Sequence, residues 1–249
     1  MTDVENHTLS APHPLVAELS ALETIKTWSL IVTLFGDLDG NELTGAQIKS
    51  LLGHIGIKPE TIRVSLHRLR SDGWIMSERR GREAVYRLSD KARTETRQAT
   101  HDIYRRDIKH PGGWRFHVMP DGCAPEEAVA ITRDVVLVPA SMSAQISDSI
   151  ALENPPQQMP PWFEERLVPI ALLRNASALI GVLASEAWDH ATVDKLDQIA
   201  RRLLILHHWR RLALRDGTWA HISVLPGGTL STCHAVVTRF LAESPRIRF

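Results

Sequence analysis

Between residues 44 and 88 the chain is punctuated so closely by helix and turn signals that few arrangements accommodate it. In "LTGAQIKSLLGHIGI", Thr44 and Gln47 stand at capping-box spacing, where the hydroxyl accepts from a free backbone amide and the side-chain amide reaches back. That predicts a short helix ending near Gly53. Pro59 then supplies a preset first-turn residue for the next helix, and Gly73 is suited to close it. "WIMSERRGREAVYRL" follows as two short strands around Arg80 and Gly81, with Ala84, Tyr86 and Leu88 alternating towards one side. Upstream, "ALETIKTWSLIVTLFGD" sets Leu22, Ile25, Ser29 and Val32 on one helical side, with Trp28, Ile31 and Phe35 close by. Gly36 and the cluster from Asp37 to Asn41 stop this mostly buried first helix. Helix, turn, helix and hairpin in that order predict a winged helix-turn-helix.

Charge falls on the same stretch. Residues 1–57 carry a net charge of −5, residues 58–110 of +6 and residues 111–249 of −1, within a chain of formal charge zero. Screened charges act over about 8 Å at physiological salt, so a local excess points to a localised anionic partner rather than general stickiness. On the third helix Ile62, Leu66 and Leu69 are expected to face the core. Glu60, Val64, His67 and Ser71 then project to the opposite side, with Arg63 and Arg70 on one flank and Thr61 and Arg68 on the other. Cations bracketing a polar ridge suit a helix entering a major groove, where the ridge meets base edges and the guanidiniums meet phosphates. Arg79, Arg80 and Arg82 at the hairpin tip would touch the neighbouring backbone or minor groove. The expected DNA-binding residues are therefore Thr61, Arg63, Val64, His67, Arg68, Arg70, Arg79, Arg80 and Arg82.

These residues resemble the amino-terminal domain of the PaaX family of phenylacetic acid degradation repressors. The likeness rests on Arg63 and Arg68 in the reading helix, the Gly73-Trp74 step, Gly81 and Arg82 in the wing, and Tyr86 and Leu88 in its strand. A second block, "LLILHHWRRLALRD", is similar to the family's carboxy-terminal helix through His207, Trp209, Arg210 and Arg211, with "VLPGG" and Cys233 matching more loosely. The resemblance implies a homodimeric, ligand-responsive repressor with a ferredoxin-like middle domain and an acyl-coenzyme A type effector sensed outside the DNA reader. Phenylacetyl-coenzyme A itself is not carried over, because Gly217 replaces the family's usual Pro after Arg215-Asp216 and the middle region is thin. That region offers a strand at "GWRFHVMP", a short acidic helix around Pro125 to Ile131 and an apolar strand at "DVVLVPA", an abbreviated or rebuilt module.

The expected architecture is mainly α with α+β parts. Residues 1–18 form a disordered leader, 19–110 a winged helix with a linking helix from Ser89 to about Asp107, 111–160 a small α+β module with a Pro-rich linker, and 161–249 a helical C-terminal domain. "ENPPQQMPP" marks the linker, and residues 170–187 and 192–215 are helical by periodicity. Trp209, Arg210, Arg211 and Arg215 are candidate effector ligands; the tail tryptophans otherwise suit core or interface anchoring. Two cysteines, an acidic N-terminus and no apolar run of ~18 residues point to the cytoplasm and away from a membrane.

Catalysis finds little support. His207 and His208 are adjacent on a helix and point ~100° apart, unlike a metal-binding pair spaced by four. Cys233, His234 and His221 lack a Cys-x-x-Cys pair, and there is no phosphate loop or nucleophile elbow. No cofactor, metal site or enzymatic activity is expected. A short reading helix covers few base pairs, so a homodimer on a palindromic operator is expected. The other classes open at this point are a winged-helix protein-docking scaffold and a metal-dependent hydrolase built on the tail histidines.

Overall fold

The computed structural model describes residues 12–108, 113–120, 125, 128–146, 148–152, 160–184 and 194–249. In chain order its elements are α1 (Pro14–Ala21), α2 (Thr27–Asp37), β1 (Glu42–Thr44), α3 (Gly45–His54), α4 (Pro59–Ser71), β2 (Ile75–Arg80), β3 (Glu83–Leu88), α5 (Asp90–Ile103), β4 (Trp114–Val118), β5 (Val129–Ala130), β6 (Val135–Pro139), β7 (Ile150–Leu152), α6 (Pro161–Leu167), α7 (Ile170–Ala184), α8 (Lys195–Ala213), α9 (Thr218–Val224) and α10 (Thr229–Glu243). They divide into two compact units. The first comprises Met1–His101, Val182–His208 and Leu241–Phe249; the second comprises Asp102–Gly181 and Trp209–Phe240. This differs from the sequential division expected, because the tail serves both units.

In the first unit the capping box is present as read: the Gln47 amide donates to Thr44 Oγ1 (3.2 Å) and the Thr44 amide to Gln47 Oε1 (2.8 Å). Helix α3 runs past Gly53 and closes on Gly56 (φ +91°), with Ile57 N donating to Leu52 O and Gly56 N to Gly53 O. Helix α4 closes the same way on Gly73 (φ +71°), through Trp74 N to Leu69 O and Gly73 N to Arg70 O. Glycine is favoured at both points because the left-handed conformation crowds a Cβ. Helix α2 starts at Thr27 rather than Ala21 and is buried nearly all round, with Leu30, Ile31 and Leu34 fully covered. Residues 14–18, expected in a disordered leader, belong to α1, whose Leu15, Val16 and Leu19 are buried. Pro14 opens that helix, His13 Nδ1 accepts from Leu15 N, and His13 N donates to Asp197 Oδ1. Residues 1–11 of the leader lie outside the described residues.

The antiparallel sheet of this unit has the order β1-β3-β2. Arg80 pairs with Glu83, so the hairpin loop is Gly81-Arg82, one residue later than expected. Gly81 has φ +62° while Arg82 is not among the positive-φ residues, the pattern of a type II′ turn, whose twist matches that of the strands. Along β3, Leu88 is buried as read, Tyr86 is half-buried and Ala84, towards the hairpin tip, is exposed, while Val85 on the opposite face of the sheet is also buried. Ser89 caps α5, accepting from Ala92 N (3.2 Å), and Ala92 is buried. A Cβ on Gly36 would lie 3.1 Å from Thr96 Cγ2, so α5 packs closely on α2.

In the second unit the sheet order is β5-β6-β4-β7, antiparallel throughout. Met119, Val136 and Val138 form its core, with Ala128, Met142 and Ile146 against it. The helix expected around Pro125 to Ile131 is not found at Val129–Ala130. These residues form β5, where Val129 is buried opposite Leu137 and ladder pairing outweighs the weak helical signal. Buried His117 accounts for both ring nitrogens, to Ser149 Oγ and Ser143 Oγ at 2.8 Å each. At the start of α10, Thr229 donates its amide and its hydroxyl (2.9 Å) to the Glu164 carboxylate. A Cβ on Gly228 would sit 2.7 Å from Glu164 Oε1 and 3.1 Å from Leu225 Cβ and O, so a larger residue there would displace the carboxylate from this cap. The Pro-rich stretch falls largely, and Trp188 and Cys123 wholly, outside the described residues.

Burial lowers the pKa of His221 and of His234 below the usual 6.5, against a raising contact from His234 to Arg105 O. The unfolded chain therefore takes up these protons first. Their contribution to stability is complete above about pH 6.5 and is lost as the pH falls towards and through the folded-state pKa values. His221→Phe is expected to flatten the loss of unfolding free energy between pH 7 and pH 5 relative to the unsubstituted chain. Urea titrations at each pH measure this, and identical slopes for the two proteins would contradict it.

Candidate nucleic-acid interface

Helix α4 buries Ile62, Ser65, Leu66 and Leu69 and leaves the rest of its circumference exposed. Arg63, His67 and Arg70 line a cleft of about 290 Å³ with Lys49 and Gly45 of α3, Tyr86 of β3, and Pro59, Ile62 and Leu66. Helical spacing set Arg63 and Arg70 on one flank; the cleft adds Lys49, one turn beyond Gly45 on the neighbouring helix. Its contribution shows only once α3 and α4 lie side by side in the fold, which local helix signals do not encode. The other flank carries Thr61, exposed, and Arg68, whose guanidinium lies 5.7 Å from the Trp28 ring centroid and 3.5 Å from Asp72 Oδ2. That ion pair is exposed and weak, so Arg68 keeps its capacity to engage another anion. Val64 lies between the flanks and is 61% exposed.

On the hairpin, Arg79 and Arg82 line a shallow hollow with Ser77, Glu78, Glu83 and Ala84. Arg79 Nε donates to Gly81 O (3.2 Å), bracing the turn. Arg80 stands apart from them. Its guanidinium donates to both Glu42 oxygens and to Glu78, and these bonds, that to Glu42 first, raise its pKa. Two carboxylates offset this cation, so Arg80 ties β1 to the hairpin instead of presenting a free charge.

The tail candidates separate. Trp209 is 1% exposed; its indole donates to Ile103 O (2.9 Å), and its ring packs edge-on to Trp219 and tilted against His234. It is a core anchor. Arg105 stacks over Trp219 at 4.8 Å. Arg210 is half-buried, with its pKa lowered by loss of solvent, while Arg211 and Arg215 are exposed. The four are thus not gathered on one exposed surface. His207 and His208 are buried in the first unit, His207 Nδ1 near Thr33 Oγ1 (3.5 Å) and His208 between Leu19 O (2.8 Å) and Glu23 (3.2 Å). Buried Cys233 has its thiol pKa pushed up to about 12 by loss of solvent, which suits a packing role. Among the described residues no group of three or more His, Cys, Asp or Glu is arranged to hold a metal, and no single helix is long and apolar enough to cross a membrane.

Comparison with known proteins bears on this geometry. Residues 26–92, which contain α2 through β3, match the family model described as PaaX-like protein. The Transcriptional repressor PaaX of Escherichia coli (strain K12) is 27% identical over 226 residues, covering 76% of this chain and 71% of that protein. Among solved structures, the uncharacterized protein Rv0674 from Mycobacterium tuberculosis aligns over 88% of this chain and 97% of its own at 16% identity, with a TM-score of 0.44, too loose a likeness to carry an argument.

Proposed function

We propose, from the match of residues 26–92 to the PaaX-like family model, that the chain is a PaaX-type DNA-binding transcriptional repressor whose residues 27–88 act as a winged helix-turn-helix. The observation that carries this reading is the exposed side of α4, where Lys49, Arg63 and Arg70 border one flank and Arg68 the other. Phosphates of a duplex lie on either side of the major groove, and a helix seated there meets them with its flanks. Arg79 and Arg82 extend the contact from the wing. Two chains on a palindromic operator would double the contacts one short helix makes, so the binding species is a homodimer acting in the cytoplasm. An acyl-coenzyme A type effector, by analogy with the family alone, would release it from DNA. The protein is a regulator rather than an enzyme.

The test separates positioning from reading. Arg82→Ala is expected to weaken binding to all duplexes by a similar factor and to shrink the salt dependence by about one phosphate contact per chain of the homodimer. His67→Ala is expected to change the preference among sequences. Competition binding against a selected duplex and random duplexes measures both. Unchanged preference after His67→Ala would show that α4 is seated differently, and binding to no duplex would end the reading.

A further inference from the structure

The ridge of α4 that would face the bases is unusual in what it lacks. Glu60, Val64, His67 and Ser71 include no Arg or Lys, the side chains that read guanine O6 and N7 as a bidentate pair. At its middle, Val64 holds an isopropyl group 61% exposed on a helix whose other exposed residues are polar or charged, apart from Pro59 in its first turn. Among the described residues Ile62, Leu66 and Leu69, with Ser65, already make up the buried side of the helix. Among the described residues of this unit Val64 is also the most exposed large apolar one.

We propose that Val64 is a specificity-determining residue that packs on the C5 methyl group of a thymine in each operator half-site. The inference rests on the DNA-binding reading above. Thymine is the base that presents a methyl group in the major groove, and an aliphatic side chain recognises it by burying both surfaces from water. Arg63 and Arg70 on one side and Arg68 on the other hold the helix by the backbone, which fixes the depth at which Val64 meets the base edges. Selectivity at the centre of the half-site is therefore for an A·T pair rather than a G·C pair.

The whole chain is used to select duplexes from a random pool, and each thymine of the selected site is then replaced singly by deoxyuridine, which lacks the methyl group. At one thymine per half-site the replacement should weaken binding about fourfold, the factor that burying one methyl-sized group corresponds to. Val64→Ala should weaken binding to the thymine duplex by at least as much and be indifferent to that replacement. The two effects would then be non-additive at one position and additive elsewhere. Val64 is exposed, so the substitution leaves the core intact, and a far-ultraviolet spectrum matching the unsubstituted chain verifies this. Additive effects at every thymine, or a selected site with no thymine in its half-sites, overturn the proposal while leaving the DNA-binding reading in place. A pool from which no duplex is enriched overturns both.

Discussion

Asp37→Ala is expected to lower the unfolding free energy of the first unit by about 3–5 kcal/mol, the cost of leaving a buried charge without its partner. Asp37 is 1% exposed and Arg202, on α8, is 3% exposed. Arg202 grips the carboxylate with Nε and Nη2, the latter at 2.8 Å, and donates Nη1 to Ser244 O at 2.7 Å. Arg246 approaches from the solvent side at 3.7 Å and is half exposed, so Arg246→Ala should cost under about 1 kcal/mol. The paired change Asp37→Leu with Arg202→Met should cost clearly less than the sum of its parts, because it removes both charges at once. Urea titrations of the unsubstituted chain, Asp37→Leu, Arg202→Met and the paired variant decide this, and simple additivity would contradict it. The consequence reaches beyond stability. Asp37 ends α2, next to the loop where Asp39 N donates to Ile247 O (2.7 Å), so helix and loop of the PaaX-like domain depend on residues some two hundred positions away.

Replacing Lys49, Arg63 and Arg70 together by alanine should lower duplex affinity by at least about a hundredfold and flatten the dependence of log K on log salt by about 2.7 per bound chain, about 5.4 for the homodimer, since each phosphate that a cation neutralises adds about 0.9 to that slope. All three side chains line the α3–α4 cleft away from the packed core, so the unfolding midpoint should stay close to that of the unsubstituted chain. Arg80→Ala is the informative contrast. Its guanidinium is held by Glu42 and Glu78, and removing it frees two carboxylates near the wing. The salt slope should then barely change.

Residues whose partners are close in sequence declared themselves. The Thr44–Gln47 box, Pro59 and Gly73 each act over one turn, and all three end or start helices where read. The outward residues of α4 were legible for the same reason: the spacing of Ile62, Leu66 and Leu69 determines the face opposite. What stayed hidden depends on distant partners. His207 and His208 invite a chemical reading, yet they meet Thr33, Leu19 and Glu23 more than 170 positions away. The neutralisation of Arg80 needed β1 beside β3, a pairing that local alternation does not encode. Helix α8 shows the limit most plainly. Asp197 and Arg202 look like solvated charges in sequence, but both are buried, Asp197 against the His54 ring (2.6 Å) and Arg202 paired with Asp37.

A titration of mixed duplex DNA with the whole protein at about 50 and about 200 mM salt tests the proposed partner most directly. Six cations, Lys49, Arg63, Arg68, Arg70, Arg79 and Arg82, are available per chain for phosphate contact. Affinity is therefore expected to fall at least about a thousandfold between the two conditions. An affinity that changes less than about threefold, which corresponds to roughly one phosphate contact, would contradict a duplex backbone as the partner of this surface.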